Sequence, residues 1–144
     1  MLRILYFSQA KGVISDDQIR DILNASRRKN RLLGISGVLI HGGGQFMQVL
    51  EGPEQSVLRL YLKILDDQRH FNSRITYISL ANKRLFQEWS MGVIESDPLE
   101  FQHINELLAN PQESVQEKVF IDIMRQFRRK LKLTTDSNPE ADPL

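Results

Sequence analysis

The order in which strand-like and helix-like stretches follow one another is the strongest constraint on the fold of this chain. Residues 2–8 (LRILYFS) are apolar and have high strand propensity. The next stretch, residues 15–18 (SDDQ), is a capping box, the pattern that begins a helix. The spacing of apolar residues then predicts strands at 35–41, 45–51, 74–81 and 88–95, helices at 16–30 and 53–65, and two further helices at 101–109 and 110–131.

This order predicts an α+β fold. The first six elements follow the β-α-β-β-α-β order of a ferredoxin-like domain, an antiparallel sheet with two helices on one face. A fifth strand extends the sheet to a βαββαββ arrangement. Three consecutive glycines at 42–44 fit the hairpin between the second and third strands, because glycine accepts a positive φ at little cost.

Both faces of the predicted sheet are apolar. In the first strand Leu2, Ile4 and Tyr6 point to one face, whereas Leu5 and Phe7 point to the other. An antiparallel sheet with one face in water would not need this pattern. We therefore expect the amphipathic C-terminal helix, or a partner subunit, to cover the second face. The apolar stripe of that helix consists of Val115, Val119, Ile123, Met124, Phe127 and Leu131.

Composition and charge exclude several classes of function. The 144 residues include no cysteine, which rules out disulfides, thiol catalysis and cysteine-ligated metals and fits a cytoplasmic location. The net charge of +1 gives no reason to expect nucleic-acid binding. No apolar run suits a membrane span or a signal peptide. We expect one domain at 1–95, a helical cap or output segment at 96–133 and a disordered tail at 134–144.

A buried amide and a phenol are the first candidates for a functional site. Gln48 lies between Phe46 and Leu50 on one face of the third strand, and Tyr6 is its expected neighbour on the first strand. A buried amide needs hydrogen-bond partners, since each lost bond costs roughly 1–3 kcal/mol. The two groups can satisfy each other as core residues, or they can bind the polar edge of a planar ligand. The residues alone leave both interpretations open.

Five short motifs, in order along residues 1–95, resemble the BLUF family of flavin-based blue-light sensors. They are LYFS (5–8), NRLLGISGVL (30–39), FMQVLEG (46–52), DDQRH (66–70) and WSM (89–91). Each motif alone is weak, but each falls on the element where the family pattern places it. One departure is Ser36, where many members have threonine, and this change keeps the hydroxyl.

The resemblance implies that FAD is bound non-covalently, with its ring between the first two helices. Tyr6 matches the tyrosine that donates an electron and a proton to the excited flavin, and Gln48 matches the glutamine between that tyrosine and the flavin. Trp89 and Met91 match a pair near the glutamine that shifts after excitation, and the sequence does not order one above the other. The implied cofactor-binding residues are Tyr6, Ser8, Ile22, Asn30, Gln48, Ile64, Asp67, Arg69 and His70.

The resemblance also implies a sensor without enzymatic turnover and without a metal. Candidate cations for the flavin phosphates are Arg27, Arg28, Lys29, Arg31 and Arg69, and loose phosphate contacts would admit FMN or riboflavin. No output domain is evident, so we expect the signal to leave through residues 92–131 to a separate signalling protein or to a change in assembly. We expect a homo-oligomer, with the helix at 112–131 as the candidate contact and packing within the chain as the alternative use of its apolar stripe.

Two rival functions remain for comparison. Acylphosphatase-like enzymes share the strand and helix order but use an arginine in the loop after the first strand, and the corresponding stretch here, QAKGVI, contains none. A cofactor-free protein-interaction module is the second rival. It would leave Tyr6, Gln48 and Asn30 as core residues that satisfy one another, and it would be colourless.

Overall fold

Five strands and four helices make up the part of the chain that the computed structural model describes, residues 1–108 and 113–137. The α+β class is confirmed. The elements are β1 (Leu2–Ala10), α1 (Asp16–Leu33), β2 (Ser36–Gly42), β3 (Gln45–Gly52), α2 (Glu54–Leu65), β4 (His70–Leu80), β5 (Gly92–Glu95), α3 (Pro98–Leu108) and α4 (Glu113–Ser137).

The strands form one sheet in the order β4-β1-β3-β2-β5. Among the first four strands every pairing is antiparallel, as the ferredoxin-like pattern predicts. The fifth strand lies parallel to β2, so the sheet is mixed. Because β4 and β5 occupy opposite edges, residues 81–91 must carry the chain from one edge to the other. We call this segment the connector.

The front face of the sheet is covered by α1 and α2. Leu2, Ile4 and Tyr6 of β1 lie on this face, as strand alternation predicts. The predicted capping box begins α1, because the Ser15 side chain accepts from the Gln18 amide and the Gln18 side chain accepts from the Ser15 amide. The helices contribute Ile19, Leu23, Val57 and Tyr61 to this core.

The back face is covered by α3 and α4 of the same chain. Leu5 and Phe7 of β1 pack there, again as the alternation predicts. The buried helix residues on this face are Phe101, Ile104, Phe120, Ile123, Met124, Phe127 and Leu131. The expected cover is therefore intramolecular, whatever the assembly state. The predicted helix start at 110–112 and the side chains of Val115 and Val119 lie outside the described residues.

The prediction for the fifth strand is wrong at its start, and this changes the placement of two candidate residues. The strand begins at Gly92 and not at residue 88, because the chain bends at residues 90 and 91. Trp89 and Met91 therefore do not share a strand face. Trp89 packs into the back-face core, whereas Met91 packs into the front-face core.

Other boundaries also differ from the prediction. The first helix does not end at Asn30 as predicted, since it continues to Leu33 and Gly34 caps it with a φ of 69°. The fourth strand begins at His70, four residues before the predicted start at Arg74, and the predicted strand at 74–81 ends one residue late. Helix α4 extends to Ser137, four residues past the predicted start of the tail at 134, and residues 138–144 of that predicted tail lie outside the described residues.

Candidate functional site

The predicted Tyr6–Gln48 neighbourhood is present in the centre of the front face. These residues are directly opposed on β1 and β3, and the Tyr6 hydroxyl donates to Gln48 Oε1. Both side chains are buried. Burial raises the pKa of the Tyr6 phenol well above the usual value for tyrosine, with smaller contributions from Tyr61 and Asp67. Tyr6 therefore keeps its proton, and this proton points at the amide oxygen.

A cavity of about 580 Å³ lies over this pair, between α1 and α2. The structure brings together all of the predicted cofactor-binding residues, because each of them lines this cavity: Tyr6, Ser8, Ile22, Asn30, Gln48, Ile64, Asp67, Arg69 and His70. Apolar walls come from Ile22 and Ile64, which belong to the two different helices. The arrangement suits a flat ligand with a polar edge toward the sheet.

Two buried polar atoms of the cavity have no hydrogen-bond partner in the described structure. Asn30 is almost fully buried and its Nδ2 donates to the Ser90 carbonyl at 2.8 Å, but its Oδ1 has no partner. The Ser8 hydroxyl is likewise buried without one. Buried polar atoms in native proteins are nearly always satisfied. These two atoms therefore fit a ligand that carries a hydrogen-bond donor into the cavity.

A partly exposed ion pair, Arg69 with Asp67, lines the cavity. Arg69 Nε lies 2.9 Å from Asp67 Oδ1 and 3.0 Å from Oδ2. Hydrogen bonds from Arg69 hold the pKa of Asp67 below its usual range. His70 Nε2 lies 2.5 Å from the Ile64 carbonyl, which ties the start of β4 to the end of α2.

The cations around the cavity differ in part from the predicted set. Lys29 and Arg69 line it, whereas Arg27, Arg28 and Arg31 are not among its lining residues. Arg27 Nε instead donates to the Met91 carbonyl at 3.0 Å. Two further cations, Arg59 and Lys63, line the cavity from α2. Sequence reasoning missed them, although their spacing of four residues on one helix was a usable signal.

Met91 contacts the central amide directly. Gln48 Nε2 donates to Met91 Sδ at 3.3 Å. The amide is thus held at its oxygen by Tyr6 and at its nitrogen by Met91, so a change in the amide alters both contacts. Trp89, the other predicted member of the pair, lies on the back face.

A comparison with protein families decides the class of this site. A family model described as "BLUF: Sensors of blue-light using FAD" matches residues 1–92. The chain belongs to the BLUF family. BLUF domains bind flavin and sense blue light, and the match covers every element that lines the cavity.

Relatives of known name agree with this assignment. The chain is 34% identical over 89 residues to the photoactivated adenylate cyclase subunit beta of Euglena gracilis, covering 61% of this chain and 10% of that protein. It therefore spans about a tenth of the length of this curated relative. Two solved BLUF structures are covered by this chain over far more of their own length.

One of these structures is described as "BlsA photo-activated state", with a TM-score of 0.69 and 31% identity over 85% of this chain and 94% of that one. The other is described as "BlrB - a BLUF protein, dark state structure", with a TM-score of 0.71 and 25% identity over 90% of this chain and 96% of that one. Their likeness extends beyond residues 1–92, so it includes part of the C-terminal helical region.

Every helix in the described part of the chain is too short or too polar to span a bilayer. Among the residues that the structure describes, no cluster of three or more histidine, aspartate or glutamate side chains is placed to hold a metal ion.

Proposed function

We propose that this chain is a blue-light photoreceptor that holds FAD non-covalently in the front-face cavity. The observation that carries the proposal is the buried Tyr6–Gln48 hydrogen bond at the floor of a cavity in a BLUF-family chain. The unpartnered Asn30 Oδ1 supports it, since a cofactor-free core would leave that atom unsatisfied. This last point weighs against the rival cofactor-free interaction module.

The polar groups of the cavity fit the edge of an isoalloxazine ring. That edge offers acceptors at N5, O4 and O2 and a donor at N3–H. Asn30 Oδ1 is a free acceptor for the donor, and Gln48 Nε2 has one N–H for the acceptors besides the one that it donates to Met91. Ile22 and Ile64 supply apolar contact for the two ring faces.

The cations at the cavity favour FAD over a flavin without a pyrophosphate. Lys29, Arg59, Lys63 and Arg69 all line the cavity. Arginine binds a phosphate as a planar fork and lysine as a point charge. Asp67 already engages Arg69, which orients its guanidinium and partly neutralises it. The α2 cations Arg59 and Lys63 are therefore our first candidates for the phosphates.

The protein's part in the light reaction is to supply and recover one electron and one proton. When bound and excited by blue light, a flavin is a strong one-electron oxidant. Tyr6 would give up an electron to the excited ring, and its phenolic proton would pass along the hydrogen bond to Gln48 and through that amide to the ring. The loss of that bond frees the amide to rotate or tautomerise. When the electron and proton return to Tyr6, the pair re-forms with a different pattern of donors and acceptors.

The changed amide then alters the contact with Met91, and through it the connector and β5. Strand β5 leads directly into α3 and α4, so the helical segment at 96–133 is the proposed output of a sensor domain at 1–95. The receiver is a separate signalling protein or another copy of this chain. The cyclase subunit named above is an example of a relative in which the matched region is a small part of a longer protein. We propose no turnover chemistry for the chain itself.

The test is the absorption spectrum of the purified protein in the dark, during blue light and after it. We expect a flavin spectrum that shifts to the red by a small amount and relaxes in darkness. Chromatography of the cofactor released by denaturation should give FAD. A colourless protein that takes up no added flavin would contradict the proposal. A yellow protein whose spectrum does not shift would be a flavin-binding protein that does not sense light.

A further inference from the structure

A buried ion pair lies on the back face, away from the cavity. Arg3 and Glu51 are directly opposed on β1 and β3. Arg3 Nε lies 3.2 Å from Glu51 Oε2, and their side chains are 6% and 0% exposed. Removing two charges from water is expensive, and their mutual attraction offsets the expense only when the remaining hydrogen bonds are also made. The other partners of the pair are therefore informative.

Three of those partners belong to the connector, and the fourth is the Ser36 hydroxyl of β2, which donates to Glu51 Oε1 at 3.3 Å. Glu51 Oε1 accepts from the Phe86 amide at 2.5 Å, and Oε2 accepts from the Leu85 amide at 3.1 Å. Arg3 Nη2 donates to the Lys83 carbonyl at 2.7 Å. The pair thus fixes the backbone of three neighbouring residues, as a carboxylate at a helix start fixes amides.

A few residues later the same connector contacts two residues that line the cavity, Asn30 and Gln48. The Trp89 carbonyl accepts from the Gly37 amide at 3.1 Å, which ties it to β2. Asn30 holds the Ser90 carbonyl, and Gln48 holds the sulfur of Met91. Residues 83–91 therefore join the ion pair on the back face to the central amide on the front face.

The pair and the connector also contact α4. The Arg3 guanidinium carbon lies 5.9 Å from the centre of the Phe120 ring, within the range of a cation–π contact. Phe86 packs in the same core cluster as Phe120. Glu88 Oε1 lies 3.7 Å from Arg128 Nη2 at the surface. The pair and the connector thus contact α4 at two of its residues, Phe120 and Arg128.

We propose that Arg3 and Glu51 are positioning residues for the light response: they set where the connector rests against Gln48 and transmit its movement to α4. This inference rests on the proposed function. Neither residue touches the cavity, so neither takes part in the photochemistry. The pair instead determines how readily Met91 leaves the amide and how far that change reaches.

The test compares two variants with the wild-type chain. Arg3→Met/Glu51→Leu removes both charges and leaves no unpaired one, a replacement that proteins often tolerate. Arg3→Lys keeps the positive charge but removes the Nη2 group that donates to the Lys83 carbonyl. It replaces the double variant if that variant does not fold. The measurements are the size of the light-induced spectral shift, the dark-recovery rate, and the light-dependent change in hydrogen exchange over residues 113–137.

We expect both variants to retain the wild-type spectral shift, because Tyr6 and Gln48 are untouched. We expect the dark-recovery rate to change at least about threefold in the double variant, which corresponds to about 0.65 kcal/mol since tenfold is 1.36 kcal/mol. The light-dependent exchange difference in α4, present in the wild type, should disappear. If the pair only stabilised the fold, its removal would lower stability. The recovery rate and the exchange in α4 would then not change independently of the spectral shift.

The matched control is Glu100→Gln/Lys130→Met. It removes another ion pair of the back face, with 2.6 Å between Lys130 Nζ and Glu100 Oε1, which joins α3 to α4. We expect wild-type recovery kinetics. The same recovery change in this control would assign the effect to general loosening and overturn the proposal.

The remaining outcomes separate the inference from the proposed function. A wild-type chain that shifts in light, with variants that recover and exchange as it does, overturns the positioning role alone. A wild-type α4 whose exchange never responds to light overturns it too. A wild-type chain without any spectral shift refutes the proposed function, and the positioning role falls with it.

Discussion

The two faces of the sheet differ in how their buried polar groups are satisfied. On the front face Tyr6 and Gln48 bond to each other, but Asn30 Oδ1 and the Ser8 hydroxyl border the cavity without a partner. On the back face the charges of the Arg3–Glu51 pair are engaged by each other and by connector backbone. The remainder of the back-face core is a cluster of aromatic and aliphatic side chains.

This difference separates two tasks within one small domain. Unsatisfied polar atoms around a cavity are tolerated where a ligand completes them. A densely packed apolar core resists gradual deformation and favours discrete arrangements. The front face is thus suited to hold a cofactor, and the back face to stabilise the sheet and to pass a rearrangement to α4. Substitutions on the two faces should therefore fail in different ways.

The largest expected effect is on stability and comes from the back face. Phe127 is 1% exposed, so Phe127→Ala leaves a cavity in the core. We expect the free energy of unfolding to fall by about 3–5 kcal/mol in urea denaturation. The protein that remains folded should keep its flavin and its spectral shift. Loss of flavin at unchanged stability would contradict the division between the faces.

A smaller effect, on binding, is expected from the front face. Asn30→Ala removes the free acceptor of the cavity and the bond to the Ser90 carbonyl. At about 1.4 kcal/mol for one lost bond, we expect flavin affinity to fall roughly tenfold in a titration of the apoprotein. Asn24→Ala is the control, because Asn24 is exposed on the same helix. Equal affinities for the two variants would exclude Asn30 from the site.

The smallest expected effect is that of pH on the light-induced spectral shift, which depends on the Tyr6 phenol of the front face. Tyrosine normally ionises near a pKa of 10, but burial raises the pKa of Tyr6 above that value. The folded protein then holds this proton where the unfolded chain releases it. The contribution of Tyr6 to stability is therefore intact below pH 10 and declines above it.

The measurement is the amplitude of the light-minus-dark spectrum between pH 7 and about pH 10, and we expect it to stay constant across that range. A decline with a midpoint near the ordinary pKa would mean that Tyr6 is more accessible to solvent than its burial indicates.

Strand alternation made the central part of the site predictable from the sequence. The period of two assigns Tyr6 and Gln48 to one face, and neighbouring central strands bring them together. The resemblance to BLUF proteins then named residues on separate elements, which local patterns alone do not assemble. The structure places all of the named cofactor-binding residues around one cavity, and their individual roles stay predictions.

Strand alternation does not predict the conformation of the connector. A strand at 88–95 would place Trp89 and Met91, two residues apart, on one face, but the chain bends before Gly92 and these side chains lie on opposite faces. A bend of this kind depends on distant partners, here the Gly37 amide and Asn30. The buried Arg3–Glu51 pair was also missed. Its signal was a single charge inside each of the apolar runs LRIL and VLEG.

The most direct test of the account compares two neighbouring phenols of the front face. The Tyr6 and Tyr61 rings lie 5.2 Å apart, but the Tyr6 hydroxyl bonds to Gln48 and the Tyr61 hydroxyl bonds to Ser73. The measurement is the light-minus-dark absorption spectrum of Tyr6→Phe and Tyr61→Phe, each purified with its flavin. The account predicts that Tyr6→Phe binds flavin without any shift and that Tyr61→Phe shifts as the wild type does. A wild-type shift in Tyr6→Phe would contradict it.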